Sequence, residues 1–192
     1  MSWNHHPSSQ PSAERARRSV RVVSFDPERA DHREAFSALN LAWIEKLFEV
    51  EEPDRQQLYH PESILAHGGT ILMAEETRDT NPTSDQEAAD TRPRILGTCA
   101  LVAEPDNAFE LAKMAVSEEA RGLGIGRMLC EAAIDEARRR GASRVELLSS
   151  RRLTPAISLY RSLGFVEVPL PPTDYARADI KMVLELTGRD TA

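Results

Sequence analysis

A glycine-rich turn, Arg121-Gly122-Leu123-Gly124-Ile125-Gly126, lies between the apolar run Leu111 to Val116 and an amphipathic segment that begins near Arg127. A strand, a glycine loop and a helix in that order aim several backbone N–H groups at one spot, at the positive end of a helix dipole, and so favour a phosphate there. Spacing sets two phosphate loops aside. A Walker A loop needs Gly-Lys-Ser/Thr where Gly126 is followed by Arg127 and Met128, and the dinucleotide fingerprint needs glycine where Arg127 stands. The remaining pattern, R-x-x-G-x-G with an extra glycine, suits a pyrophosphate cradle, although a turn of this kind also serves as a bare connection.

The following residues supply a real helix. Met128, Leu129, Ala132, Ala133 and Ala137 form one apolar stripe, Asp135, Glu136 and Arg138 to Arg140 face water, and Gly141 is a natural stop. Arg144 to Ser149 then reads as a buried strand. Thr154 to Leu163 reads as a second helix, with Ala156, Ile157, Leu159, Tyr160 and Leu163 on its apolar side, and Phe165 to Val168 as a further strand.

From Phe109 to Val168 the chain resembles the core of the GNAT superfamily of acyl-CoA-dependent N-acyltransferases. The matching runs are Leu111-Ala-Lys-Met-Ala-Val116, the loop Arg121 to Gly126, and Leu159-Tyr-Arg-Ser-Leu-Gly-Phe165, in the family's order and at about its spacing. The resemblance implies an α/β domain with a mixed, mostly antiparallel seven-stranded sheet, splayed between strands four and five and flanked by about four helices. It implies acetyl-CoA as cosubstrate. Arg121, Gly122, Leu123, Gly124, Ile125, Gly126 and Arg127 would hold the pyrophosphate, and the backbones of Met114, Ala115 and Val116 would run beside the pantetheine arm. Tyr160 corresponds to the tyrosine that serves as general acid, and Glu110 to a glutamate that takes the amine proton directly or through water. The reaction implied is direct transfer to a primary amine, through a tetrahedral intermediate, with neither metal nor covalent acyl-enzyme.

Each role has a plainer reading. Tyr160 lies on an apolar stripe and can simply pack, and Glu110 can be an exposed strand carboxylate. Lys113 is out of place in an apolar strand, which calls for a carboxylate partner or a bulge. The chain also departs from the family: Leu148 stands where some members keep a glutamate at the end of strand five, with Glu146 two residues earlier, and Leu153 replaces an asparagine seven residues before the tyrosine. Ser149, Ser150 or Thr154 can supply the missing hydrogen bond.

The flanking regions fit one domain over residues 19–188, after an N-terminal tail, 1–18, rich in Ser, Pro, Gln and Arg, whose His5 and His6 are read as incidental. Val20 to Phe25 reads as the first strand. Asp26 reads as the cap of a helix running to about Phe48, with Phe36, Leu39, Ala42, Trp43 and Leu47 on its apolar face. A break at Pro53, a short helix after Pro61 and a strand at Thr70 to Ala74 follow. Residues 78–93 read as a flexible hairpin loop, and Ile95 to Ala103 and Phe109 to Val116 as an antiparallel pair. The Pro169, Pro171, Pro172 segment precedes the last strand, Ile180 to Leu186.

Substrate choice in this architecture comes from the first helix pair and the loop before the last strand. Trp43, Phe48, Glu49 and Tyr175 are the candidate substrate contacts, within a wider set of Asn40, Glu45, Glu51, Glu52, Asp54 and Arg177. Acids beside aromatics suit a cationic amine, and a charge run also suits a solvated helix end. A net charge of −7 opposes nonspecific nucleic-acid binding. With no run of 18 apolar residues and no signal-peptide core, the sequence predicts a soluble, cytoplasmic protein without membrane association. Cys99 and Cys130 belong to no CxxC pair and are expected as reduced core residues. The partner expected is a small-molecule amine, with a homodimer left open. A noncatalytic acyl-CoA-binding module or a peptide N-acetyltransferase are the alternatives.

Overall fold

The computed structural model describes residues 18–78 and 93–186. Seven strands, β1 (Arg18–Ser24), β2 (Thr70–Arg78), β3 (Arg94–Glu104), β4 (Ala108–Val116), β5 (Arg144–Ser149), β6 (Val166–Val168) and β7 (Ile180–Glu185), form one sheet in the order β1-β2-β3-β4-β5-β7-β6. The described residues also contain five α-helices: α1 (Ala30–Leu47), α2 (Glu52–Tyr59), α3 (Glu62–Ala66), α4 (Ile125–Arg139) and α5 (Thr154–Ser162). Every neighbouring pair of strands is antiparallel except β4 and β5, which the crossover helix α4 connects. The mixed seven-stranded sheet is therefore as expected, and α2 is the additional helix. The expected tail and most of the hairpin loop lie outside the described residues.

Side-chain alternation on β2 defines the two faces of the sheet. Ile71 and Met73 pack with Phe36, Ile44, Leu58 and Ile64 of the first three helices, while Leu72 and Ala74 pack on the opposite side with Leu129, Cys130, Ala133 and Tyr160 of α4 and α5. Charged residues also enter this layer. β2 continues past Ala74 through buried Glu75 and Glu76, a strand longer than its apolar run suggests. Glu75 accepts from Arg29 at 2.5 Å, Arg21 at 3.1 Å and His32 at 3.0 Å, which offsets its burial.

Helix α1 differs in its start and in its buried stripe. Asp26 does not cap it; its Oδ1 accepts from the Glu28 N–H at 2.9 Å, and the helix begins at Ala30 with Arg29 as the flanking residue. The buried positions are His32, Phe36, Asn40 and Ile44, whereas Ala42 and Leu47 are exposed. Two polar side chains stand in place of the expected apolar ones: His32 is satisfied on both ring nitrogens, between Glu75 and the Asp26 N–H, whereas the Asn40 amide donates to the Phe36 carbonyl at 2.9 Å while its Oδ1 has no partner among the described residues.

Two irregularities shape the middle of the sheet. Thr98 faces Ala115 and Ala100 faces Ala112, so Cys99 opposes two residues, Lys113 and Met114, in a β-bulge where Lys113 adopts φ 49°. On the other edge of β4, pairing with β5 covers Ala108, Phe109 and Glu110 and stops at the Glu110–Glu146 pair. The strands separate beyond it, leaving the β5-facing edge of Leu111 to Val116 without a strand partner.

Gly97 on β3 fixes how closely α4 approaches this fork. A Cβ there would meet the Ala115 carbonyl oxygen at 2.9 Å, Leu129 Cδ1 at 3.0 Å and Ile125 Cγ2 at 3.1 Å. Gly97→Ala is expected to destabilise the fold by ~1–3 kcal/mol, the usual cost of overpacking a tight contact, as measured by urea unfolding.

Candidate functional site

The glycine loop forms one wall of a cleft of about 860 Å³ that runs from the start of α4 along the open edge of β4 to α1 and the loop before β7. Gly122 and Gly124 adopt φ of 80° and 79°, a left-handed backbone that suits glycine. This conformation turns the chain into α4. The Leu123 N–H donates to Ala120, and the Met128 N–H to Gly124. Between them, the N–H groups of Gly124, Ile125, Gly126 and Arg127 have no acceptor among the described residues. Open space surrounds Gly122 and Gly124, in which no atom lies within 4 Å of a built Cβ. Four consecutive free donors at a helix start, on a glycine backbone that admits close approach, fit a pyrophosphate.

At the other end an ionic cluster joins α2, the β4 bulge and the loop before β7. Asp54 is fully buried; its Oδ1 accepts from Lys113 Nζ at 3.0 Å and Arg177 at 2.8 Å, and its Oδ2 from Arg177 at 2.6 Å and the Glu51 N–H at 3.3 Å. Burial alone would raise the Asp54 carboxyl, but Arg177 and Lys113 outweigh it and hold it below the usual range. Glu51 accepts from Arg177 at 2.9 Å and from the Ala176 N–H at 2.7 Å. Lys113 also donates to the Tyr175 hydroxyl at 2.8 Å, and its ammonium and the Arg177 guanidinium lie 4.9 and 4.6 Å from the Tyr175 ring centre. Both readings of Lys113 therefore hold, the bulge and the carboxylate partner.

Glu110 stands where the strands part and lines the cleft. Burial first, and then the charges of Glu104 and Glu146, push its carboxyl up to about 7. No side chain among the described residues donates a hydrogen bond to it. Glu146, its neighbour in register, accepts from Lys181 at 2.9 Å and Arg144 at 3.2 Å; these cations outweigh its burial and keep its carboxyl low. Tyr160 also lines the cleft, packs its ring 5.9 Å from Phe165, and has a hydroxyl pushed well up by burial.

The cleft brings together Glu110 and Tyr160, Met114 to Val116, Arg121, Gly122, Gly124 to Arg127, and Trp43, Phe48 and Tyr175. Leu123 and Glu49 do not join them. Leu123 is 64% exposed and its N–H is already bonded, and Glu49 follows the last residues of α1 with its side chain in solvent. Leu148 and Leu153 line the cleft where family members place polar groups, beside Ser149 and Ser150. Arg152, absent from the sequence reading, also lines it, with its guanidinium 4.9 Å from the Phe48 ring centre. Helix α2 was legible in Glu51-Glu-Pro-Asp54: Glu51 and Asp54 form a capping box, and Pro53 occupies the first turn, where no N–H is needed.

Cys99 and Cys130 are buried outside the cleft, with thiols that burial pushes well up and up to about 12 respectively. Among the described residues no group of three or more His, Cys, Asp or Glu is placed to hold a metal, and no helix is long and apolar enough to cross a membrane.

Raising Glu110 from 4.5 to about 7 corresponds to roughly 3 kcal/mol of preference for the neutral form. Because the folded value lies above the unfolded one, the stability this carboxyl contributes is present below about pH 4.5 and is lost as pH rises through about 7. Glu110→Gln is therefore expected to gain ~1–3 kcal/mol over the wild type at pH 8.5 and little at pH 4.5, as read by denaturant unfolding at both values.

Comparison with known proteins agrees with this geometry. Residues 37–165 match the family model described as the acetyltransferase (GNAT) family. A mycothiol acetyltransferase from an Arthrobacter species is 33% identical over 114 residues, covering 56% of this chain and 35% of that protein. The chain spans between 27% and 55% of the lengths of the curated relatives it matches. Among solved structures, an acetyltransferase of the GNAT family from Staphylococcus aureus superposes with a TM-score of 0.70 at 19% identity, over 88% of this chain and 99% of that one. A GNAT family acetyltransferase from Elizabethkingia anophelis with acetyl-CoA bound superposes with a TM-score of 0.58 at 16% identity, over 87% and 98%. With its strand fork, its glycine loop and a family match over two thirds of its length, the chain belongs to the GNAT acetyltransferase family.

Proposed function

We propose that the chain moves the acetyl group of acetyl-CoA to the primary amine of a small molecule, by direct attack of the amine on the thioester. The observation that carries this reading is the fork at Glu110: a carboxyl pushed up to about 7 stands at the root of an unpaired strand edge, whose other end meets four free N–H groups. The acetyl-CoA held by the Elizabethkingia anophelis neighbour and the names of the curated relatives support the donor.

In this reading the N–H groups of Gly124 to Arg127 hold the pyrophosphate at the helix start. Arg121 and Arg127 add positive charge, each also paired with an acid one turn away. The open edge from Met114 to Val116 receives the amides of the pantetheine arm, as a strand would. Acetyl-CoA supplies an activated acyl group, and the protein's own work is positioning and proton transfer. A free amine is mostly protonated at neutral pH. Glu110, poised near neutrality, removes that proton directly or through a water and exposes the lone pair. Burial opposes the ionisation of Tyr160, which keeps its hydroxyl protonated and also makes it a weaker acid than a free phenol; in this reading the hydroxyl donates a hydrogen bond to the departing sulfur as charge develops there.

The buried cysteines, outside the cleft and held as thiols, favour direct attack over a relay through a cysteine thioester. The test is release of free CoA in the presence of a panel of amines, with a pH profile of kcat/KM. The wild type should show a rising limb near pH 7. Glu110→Gln should lose 10²- to 10⁴-fold at neutral pH and recover as pH nears the pKa of the amine itself, and Tyr160→Phe should bind acetyl-CoA normally while its kcat falls 10²- to 10⁴-fold. Failure of every amine to release CoA would overturn the reading, and parallel profiles for wild type and Glu110→Gln would remove Glu110 from it.

A further inference from the structure

The charges in the acceptor half of the cleft are unequally committed. Glu51 and Asp54 are bonded to Lys113 and Arg177, two acids against two cations, and both Asp54 oxygens are filled. No carboxylate of that cluster remains to receive a second ammonium, and the acidic character suggested by the sequence is cancelled inside the protein. The surrounding surface is apolar: Trp43, Leu47, Phe48 and Leu148 line it beside the Tyr175 ring.

One cation there stands apart. The Arg152 guanidinium faces the cleft at the start of α5, held against the Phe48 ring, and no carboxylate lies within ion-pair distance of it among the described residues. Its chain neighbour is engaged, since Arg151 pairs with Glu167. A guanidinium held against an aromatic face keeps its in-plane N–H donors for a planar anion, which they grip in a bidentate manner. The site therefore offers an acid, Glu110, for an ammonium, a free guanidinium for an anion, and an apolar wall between.

Resting on the acetyl-transfer reading, we propose that the acceptor is an amine carrying a carboxylate on an apolar body, and that Arg152 docks the carboxylate. A zwitterion of this kind satisfies both charges of the cleft. A polyamine satisfies neither the guanidinium nor the apolar wall, and leaves its further ammonium groups without partners.

Matched acceptors test this with the full chain: L-phenylalanine against 2-phenylethylamine, and 4-(aminomethyl)benzoate against 4-methylbenzylamine, with spermidine as the polycation. In at least one pair the carboxylated member should be preferred by about tenfold or more in kcat/KM, the size expected of one charge-assisted contact. Arg152→Gln should collapse that preference toward unity by raising KM for the carboxylated member, with kcat moving far less, and Arg152→Lys should restore part of it. Calorimetric titration with N-acetyl-L-phenylalanine and 4-(acetamidomethyl)benzoate reads the same contact without turnover. Binding of either, weakened about tenfold by Arg152→Gln, is expected, and if it persists while no amine releases CoA, the acetyl-transfer reading fails and the carboxylate site stands. Equal or better use of the uncharged partner in both pairs, preferred use of spermidine, or no binding of either product would overturn the proposal. So would a loss confined to the KM for acetyl-CoA, which would move Arg152 to the cofactor.

Discussion

Six consecutive residues of β4, Leu111 to Val116, run through the protein with one edge paired to β3 and the other edge open. Open backbone in the middle of a sheet is costly unless something fills it, and a continued β4–β5 ladder would fill it most simply. That ladder stops at Glu110. Much of the rest of the domain follows from keeping the gap: α4 is anchored through Gly97 so that its free N–H groups meet the far end of the open edge, and the bulge at Lys113 re-aims the strand where the near end meets α2.

The Asp54 cluster holds the near end. It ties two segments distant in sequence, at Lys113 and Arg177, to one α2 carboxylate that accepts four hydrogen bonds. Such a cluster is weak evidence for net stability, since desolvating four charged groups consumes most of what their attraction returns, while removing one partner strands the others. Its stronger effect is on geometry. The left-handed backbone at Lys113 is disfavoured for a lysine, and the buried ion pair with Asp54 is an interaction strong enough to hold it.

Local signals were legible in the sequence and long-range charge pairing was not. The glycine loop, the α4 stripe, and strands β3, β4 and β5 appear close to where their residues place them, because period and turn chemistry are properties of neighbours in the chain. The stripe of α1 through His32 and Asn40, and the extension of β2 through Glu75 and Glu76, run against hydrophobic patterning. Their burial depends on partners far away in sequence: Glu75 is made tolerable by Arg21, Arg29 and His32. The same blindness affected the charges around the cleft. Glu51 and Asp54 look like an acidic lure for cations when read alone, and become a neutral structural cluster once Lys113 and Arg177 are set against them. Glu49, which has no such partner among the described residues, stays in solvent.

Glu110 and Glu146 show how the fork divides two like groups. They are partners in a parallel ladder, carry the same carboxyl and repel one another, so the arrangement favours having only one of them readily ionised. Which one is decided by the neighbours. Glu146 sits between Arg144 and Lys181 and keeps its charge, whereas Glu110 turns toward the opening, without a donor among the described residues, and holds its proton to about pH 7. The separation of strands that makes room for a ligand is thus also what leaves Glu110 unsatisfied, and a carboxyl left in that state is a more effective proton acceptor at neutral pH than an ordinary surface glutamate. Had the ladder continued along β4, its edge would have been paired to β5 and the opening beside Glu110 would not exist.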